Sequence, residues 1–244
     1  MKKERKLVIG LIIFAAVLAI STRAQMAPGG QSGGELQEKV ASLKQAAAEN
    51  QQRLHQYQWI ETTQLTLKGE PKPPKEELCS YGPDGKVQKT PVGESQPQQQ
   101  GGRHGRLKEH VVEKKKEEMQ DYMQQVKSLL ALYVPPNSQR IQEAFQAGNA
   151  SIDKTAGSGV AKLVFKNYAQ PGDQMTLSFD TTAKKIQGLN VNTYLNDPKD
   201  TVTLAAQFAS LPDGTNYAQQ TVLNAPAKKI QVTTTNANYK KLAQ

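Results

Sequence analysis

The C-terminal half of the chain constrains the fold most, because short segments with the pattern of β-strands follow one another through it. In Gln174–Asp180 an apolar residue stands at every second position, which predicts one buried and one solvent-exposed face. Turn-forming residues such as Pro212-Asp213-Gly214 separate the segments, and tight turns join antiparallel neighbours. The predicted strands are Gly159–Tyr168, Gln174–Asp180, Lys185–Leu195, Thr201–Ala209, Gln219–Leu223 and Lys229–Thr235. We therefore predict a meandering antiparallel sheet.

Three more strands are predicted nearer the N-terminus. Gln58–Lys68 is rich in β-branched and aromatic residues, which favour extended structure. Glu77–Tyr81 and Lys86–Val92 flank Gly82-Pro83-Asp84-Gly85, which is a strong turn signal. These last two strands are predicted to form a hairpin.

Helical periodicity marks the regions between the strands. In Glu35–His55, apolar residues recur at steps of three and four, which predicts an amphipathic helix. Leu107–Leu132 is predicted to be the longest helix, and Pro135-Pro136 ends it because proline cannot supply the backbone donor. Asn137 or Ser138 can cap a short helix that follows. Helices together with an antiparallel sheet predict an α+β fold.

The first 24 residues have the layout of a secretory signal peptide. Basic residues up to Lys6 precede the apolar run Leu7–Ile20, and the small residues Thr22 and Ala24 precede Gln25. As a helix the run would be about 21 Å long, against about 30 Å of bilayer hydrocarbon. We therefore expect cleavage and a periplasmic or secreted protein, with an uncleaved N-terminal membrane anchor as the alternative.

The remaining 220 residues suffice for one ordinary domain. Residues 25–34 have the composition of a flexible linker, and residues 93–107 form a low-complexity, Gln-rich insertion. We therefore predict one α+β domain over residues 35–244. Residues 1–24 carry a net charge of +4, so cleavage would leave +5 of the formal +9. This charge is too small to indicate a nucleic-acid partner.

The sequence offers no catalytic or metal-binding motif above chance. His55, His104 and His110 lack the spacing of metal ligands. Ser151-Ile152-Asp153-Lys154 matches S-x-x-K, but the motifs that accompany it in known enzymes are absent. We expect no enzymatic activity, no cofactor and no metal. Cys79 is the single cysteine, so it is either a strand residue or a thiol for intermolecular pairing.

Two segments give the chain a family resemblance. The hairpin Met175–Val191, with Asp180 at its turn, and the segment Phe208–Tyr239 resemble parts of the periplasmic lipoprotein-carrier (lipoprotein-sorting-like) superfamily. The export signal and the helix-then-sheet opening agree with this resemblance, which extends loosely over Glu35–Tyr239. It implies a curved antiparallel sheet, an incomplete barrel, that helices cover on one side.

The resemblance further implies an apolar cavity between the concave face of the sheet and its helices. Such a cavity can hold acyl chains, since burial contributes about 0.8 kcal/mol per CH₂. The candidate lining residues, which would equally serve as plain core, are Trp59, Leu65, Met119, Met123, Val126, Leu177, Phe179, Val191, Leu204 and Phe208.

We therefore expect an exported, non-enzymatic protein that binds a lipid, an acylated protein or another amphiphile. The alternative is a structural or protein-interaction module of the cell envelope, with a filled core and no ligand. The partners expected are a lipid or lipoprotein ligand, or an envelope protein. Peripheral contact with a membrane fits either expectation, and nucleic acid fits neither.

Overall fold

The computed structural model of the protein describes residues 45–93, 106–154, 159–183 and 185–242. The signal peptide predicted at 1–24, the linker at 25–34, the first part of the helix Glu35–His55 and most of the insertion at 93–107 lie outside these residues. Within the described part, no helix is both long enough and apolar enough to cross a membrane.

Eleven strands in the described residues form one antiparallel sheet. Their bounds are β1 Tyr57–Leu67, β2 Glu70–Pro71, β3 Lys75–Tyr81, β4 Val87–Pro91, β5 Ala150–Lys154, β6 Val160–Lys166, β7 Gln174–Asp180, β8 Lys185–Tyr194, β9 Thr201–Ser210, β10 Asn216–Ala225 and β11 Ile230–Lys241. The order across the sheet is β4-β3-β1-β11-β10-β9-β8-β7-β6-β5, and the short β2 pairs with β1. The predicted antiparallel meander is confirmed from β6 to β11.

The chain's first long strand pairs with its last. β1 lies antiparallel to β11, from Tyr57 opposite Lys241 to Leu67 opposite Ile230. This pairing joins the N-terminal hairpin to the C-terminal meander. Among the described strands, β4 and β5 end the sheet and do not pair with each other, so the sheet is not closed into a barrel.

β5 was not predicted from the sequence. Ala150–Lys154 pairs only with β6 and lies at the edge of the sheet. Its one large apolar side chain, Ile152, is 40% exposed. Only Ala150 and Ile152 alternate with polar residues in this segment, which is too short a pattern to indicate a strand. The hydrogen-bonded pairing with β6 therefore decides its conformation.

Three helices are described: α1 (residues 45–54), α2 (Arg106–Leu130) and α3 (Ser138–Gln146). α2 ends two residues before the predicted Leu132. The Asn137 side chain caps α3 by accepting hydrogen bonds from the backbone N–H groups of Gln139 and Arg140. Asn137 is one of the two caps that the sequence predicted. A short 3₁₀ helix, Pro226–Lys228, connects β10 to β11.

α2 and α3 cover one part of the inner sheet face and bury the main core. Val126 of α2 has no exposed surface and packs in the same cluster as Met175 of β7 and Leu204 of β9. The apolar residues on one face of α2 and just after its end all pack in or against this cluster. They are Met119, Tyr122, Met123, Val126, Leu129, Leu130 and Tyr133.

A buried carboxylate fixes the end of α2 to the turn between β6 and β7. Asp173 is 2% exposed and accepts a hydrogen bond from the Tyr133 hydroxyl at 2.5 Å. It also accepts from the backbone N–H groups of Tyr168 (2.5 Å), Ala169 (2.9 Å) and Gln170 (2.8 Å). Four donors therefore compensate the burial of one charge.

Candidate ligand-binding site

A row of small side chains divides the inner face of the sheet. Thr63 of β1 lies opposite Thr234 of β11, which lies opposite Thr221 of β10. We call these three residues the threonine row. On one side of the row lies the main core. Its nearest members are the residues two positions from each threonine: Leu65 on β1, Val232 on β11 and Leu223 on β10. On the other side lies a cavity.

The cavity has a volume of about 270 Å³ and lies between α1 and the sheet. Side chains of β4, including Lys89, and of β7, including Phe179, both line it. These strands are seven spacings apart in the sheet order, which would be about 34 Å in a flat sheet. The sheet therefore curves around the cavity.

Aromatic rings form much of the cavity wall. Trp59 of β1 stacks on Tyr239 of β11, with ring centroids 5.5 Å apart and planes inclined by 11°. Tyr81 lies 5.5 Å from Trp59, and Tyr217 lies 4.4 Å from Tyr239. The lining residues also include Phe179 and Phe208.

A β-bulge places Tyr239 in this wall. Gln58 lies opposite Lys240 and Ile60 opposite Ala237, so β11 has one residue more than β1 at this point. Asn238 supplies the bulge with φ +57°, a conformation that asparagine tolerates better than most residues. The extra residue turns Tyr239 to the face that carries Trp59.

A buried ion pair lies in the wall formed by β1 and β4. Lys89 donates a hydrogen bond to the Glu61 carboxylate, and the two side chains are only 10% and 7% exposed. Cys79, opposite both Trp59 and Lys89, has no exposed surface. Burial, reinforced by the Glu61 carboxylate, raises the pKa of the Cys79 thiol to about 12. Its burial argues against intermolecular pairing.

α1 is fixed over the cavity by a reciprocal pair of hydrogen bonds. The Asn50 side-chain amide donates to the backbone oxygen of Asn216 at 2.7 Å. Its amide oxygen accepts from the backbone N–H of Asn216 at 2.6 Å. Ala47 and Arg53, on either side of Asn50 in the helix, also line the cavity. One asparagine thus orients the described part of α1 on the sheet.

The turn between β9 and β10 at this end of the sheet is also fixed to β1. The Tyr57 hydroxyl donates to the Asp213 carboxylate at 2.7 Å, and the backbone N–H of Thr215 donates to it at 2.9 Å. These two hydrogen bonds, the tyrosine's first, lower the pKa of Asp213 to about 2.

Two polar atoms at the cavity have no partner. The Nε of Arg53 and the Oγ1 of Thr221 are buried and form no hydrogen bond, although both residues line the cavity. Buried donors and acceptors are nearly always paired in folded proteins, because an unpaired one costs about 1–3 kcal/mol. An acceptor bound in the cavity beside Arg53 or Thr221 would compensate this cost if it reached these atoms.

The ten candidate residues from the sequence divide between the cavity and the core. Trp59, Phe179 and Phe208 line the cavity, and Phe208 also packs against the main core. The other seven pack in the main core cluster or against it. They are Leu65, Met119, Met123, Val126, Leu177, Val191 and Leu204.

Five lining residues are not among those predicted from the sequence: Arg53, Tyr81, Tyr217, Thr221 and Tyr239. Tyr239 was missed because the predicted last strand ended at Thr235, whereas β11 continues to Lys241. Among the described residues, no group of three or more His, Cys, Asp or Glu side chains could hold a metal ion.

No protein-family profile matches the sequence, and no curated protein matches it. Among solved structures, a DUF1329 family protein from Desulfovibrio piger is similar to this chain. The identity is 12%, the similarity covers 83% of this chain and 92% of that one, and the TM-score is 0.38. A similarity this distant carries no functional argument, so function is inferred from the residues of the cavity.

Proposed function

We propose that this chain is an exported, non-enzymatic binding protein that holds one single-chain amphiphile in the cavity beneath α1. The cavity with its aromatic wall is the observation that supports this proposal. The curved, unclosed sheet with helices on its inner face agrees with the half-barrel that the lipoprotein-carrier resemblance implies.

The cavity's volume limits the size of the ligand. A cavity of about 150 Å³ accommodates benzene, or roughly 25 Å³ per heavy atom. By this measure 270 Å³ accommodates roughly eleven heavy atoms. One alkyl chain of about ten carbons fits, whereas a lipid with two long acyl chains would need the cavity to widen. Burying ten carbons contributes about 8 kcal/mol before the cost of association, so we expect micromolar to millimolar affinity.

Trp59 provides the test, because it is the chain's one tryptophan and lines the cavity. The full chain, purified without detergent, is titrated with decanol while the tryptophan emission is recorded. We expect a saturable change that fits one site. Ala47→Phe fills the cavity from α1 and should weaken binding at least tenfold. Ala48→Phe is the matched control, because Ala48 is the next helix residue and does not line the cavity.

An unsaturable response, or one that Ala47→Phe and Ala48→Phe leave equally unchanged, would contradict the proposal. That result would favour the second candidate, an interaction module of the cell envelope. The specific observation in its favour is Glu113–Glu118, a charged and solvent-exposed stretch of α2. Charge reversal in this stretch would then abolish capture of an envelope partner without changing the tryptophan emission.

A further inference from the structure

We infer that the amphiphile carries a carboxylate head group, which Arg53 and Thr221 bind. This inference rests on the proposed function and adds the chemistry of the ligand's polar end. Its basis is the pair of unpartnered, buried polar atoms that belong to two residues of the cavity wall.

Arg53 is positioned to bind an anion. It lies one helical turn after Asn50, whose hydrogen bonds to Asn216 fix the orientation of α1. Its Nε is buried without a partner, and Arg53 forms no ion pair with any described residue. A guanidinium group offers several donors in one plane and binds carboxylates through two parallel hydrogen bonds. The free Nε therefore lacks an acceptor that a bound carboxylate would supply.

Thr221 offers a second, independent contact from the sheet. It is 1% exposed, and its hydroxyl has no partner although the side chain lines the cavity. Its neighbours are Ala206 on β9, which has no polar side-chain atom, and Thr234 on β11, to which its hydroxyl forms no hydrogen bond. A serine or threonine hydroxyl both donates and accepts, so an oxygen of the ligand would satisfy it.

The charges around the cavity favour a single negative charge on the ligand. The ion pair with Glu61 neutralises Lys89, and Lys185 donates to the Ser210 hydroxyl at 3.1 Å. Glu49 is exposed and accepts a hydrogen bond from a neighbouring glutamine. Arg53 is thus the lining cation that has neither an acidic partner nor a hydrogen-bond acceptor. The formal charges of the lining side chains leave one net positive charge, which a monoanionic carboxylate balances better than a phosphate monoester with nearly two charges.

Three ligands with the same ten-carbon chain test the inference: decanoate, decanol and decyltrimethylammonium. Each is titrated into the full chain at pH 7.5 with tryptophan emission as the readout. We expect decanoate to bind roughly 10- to 100-fold more tightly than decanol, and the ammonium more weakly than either, because a charge-assisted hydrogen bond is worth more than a neutral one.

Variants distinguish recognition of the head group from binding of the alkyl chain. Arg53→Gln should remove the preference for decanoate over decanol, and Arg53→Lys should restore part of that preference. Thr221→Val keeps the shape and removes the hydroxyl. This variant should lower the affinity for decanoate severalfold. The melting temperature should not fall, because the hydroxyl has no hydrogen-bond partner to lose in the unliganded protein.

The outcomes distinguish the two proposals. If decanol and decanoate bind equally well, the carboxylate inference fails while the cavity remains a binding site. If none of the three ligands binds, both proposals fail. If Arg53→Gln weakens decanol as much as decanoate, Arg53 supports the cavity wall and does not recognise the head group. If Thr221→Val leaves decanoate affinity unchanged, the threonine has no part in recognition.

Discussion

Replacing Asp173 with asparagine should destabilise the fold far more than the same replacement on the surface. In the best orientation, the amide oxygen keeps the bonds from Ala169, Gln170 and Tyr133. The amide nitrogen then faces the backbone N–H of Tyr168, where the carboxylate now accepts a bond of 2.5 Å. One buried donor is left facing another donor.

The size of the loss follows from these four bonds. The lost charge-assisted bond is worth about 2 kcal/mol, and the three remaining bonds each lose about 1 kcal/mol with the charge. Burying a neutral amide costs less than burying a carboxylate, which offsets part of this sum. We expect a net loss of about 3 kcal/mol in the free energy of unfolding, or about 6–12 °C in melting temperature for a chain of this size.

Urea unfolding of the full chain measures this loss, provided that the slope of the transition stays constant. Asp197→Asn is the matched control, because Asp197 is exposed and accepts a single backbone bond at 2.8 Å. It should change the free energy of unfolding by less than about 1 kcal/mol. If Asp173→Asn costs no more than Asp197→Asn, the four bonds do not contribute to stability as argued.

Three further predictions concern the core, the stability at low pH and the Cys79 thiol. Met175→Ala should lower the free energy of unfolding, measured in urea, by about 2–5 kcal/mol, because Met175 has no exposed surface. Leu132→Ala, at a position that is 39% exposed, should lower it by about 1 kcal/mol or less. Because the pKa of Asp213 falls from 3.8 to about 2 on folding, its contribution to stability is present above pH 4 and is lost as the pH falls to about 2. Tyr57→Phe removes the main cause of that pKa shift, so the urea midpoint should change less between pH 4 and pH 2. If the midpoint depends on pH as strongly as before, the Tyr57 hydrogen bond does not cause the shift. Cys79, with a pKa raised to about 12, should react with a thiol reagent at pH 8 only after unfolding, and rapid labelling of the native chain would contradict its burial.

The sequence predicted the sheet well because alternation and turn chemistry are local properties. The hairpin around Gly82-Pro83-Asp84-Gly85 and the strand Gln174–Asp180 were both found from such patterns, and both are present. Ala150–Lys154 could not be found, because an edge strand pairs with its neighbour without burying a regular face. The bulge at Asn238 was missed because it depends on which strand lies opposite.

The site was less predictable than the fold, because burial in a core and burial against a ligand require the same residue types. Leu177 and Phe179 occupy the same face of β7, yet the first packs against the core and the second lines the cavity. Only the course of the helices over the sheet separates them. Arg53 and Thr221 could not be recognised from the sequence. What singles them out is a buried polar atom without a hydrogen-bond partner, and only the fold shows this.

The threonine row has a consequence for how such a protein can change over evolutionary time. Many binding proteins lose stability when their pocket is altered, because the same side chains support the fold and recognise the ligand. Here most residues of the core and of the cavity wall differ, although Phe208 contacts both, and substitutions that share no contacts are close to additive. The wall around Trp59 can therefore diverge towards a new ligand, by selection or by design, without prior stabilisation of the scaffold.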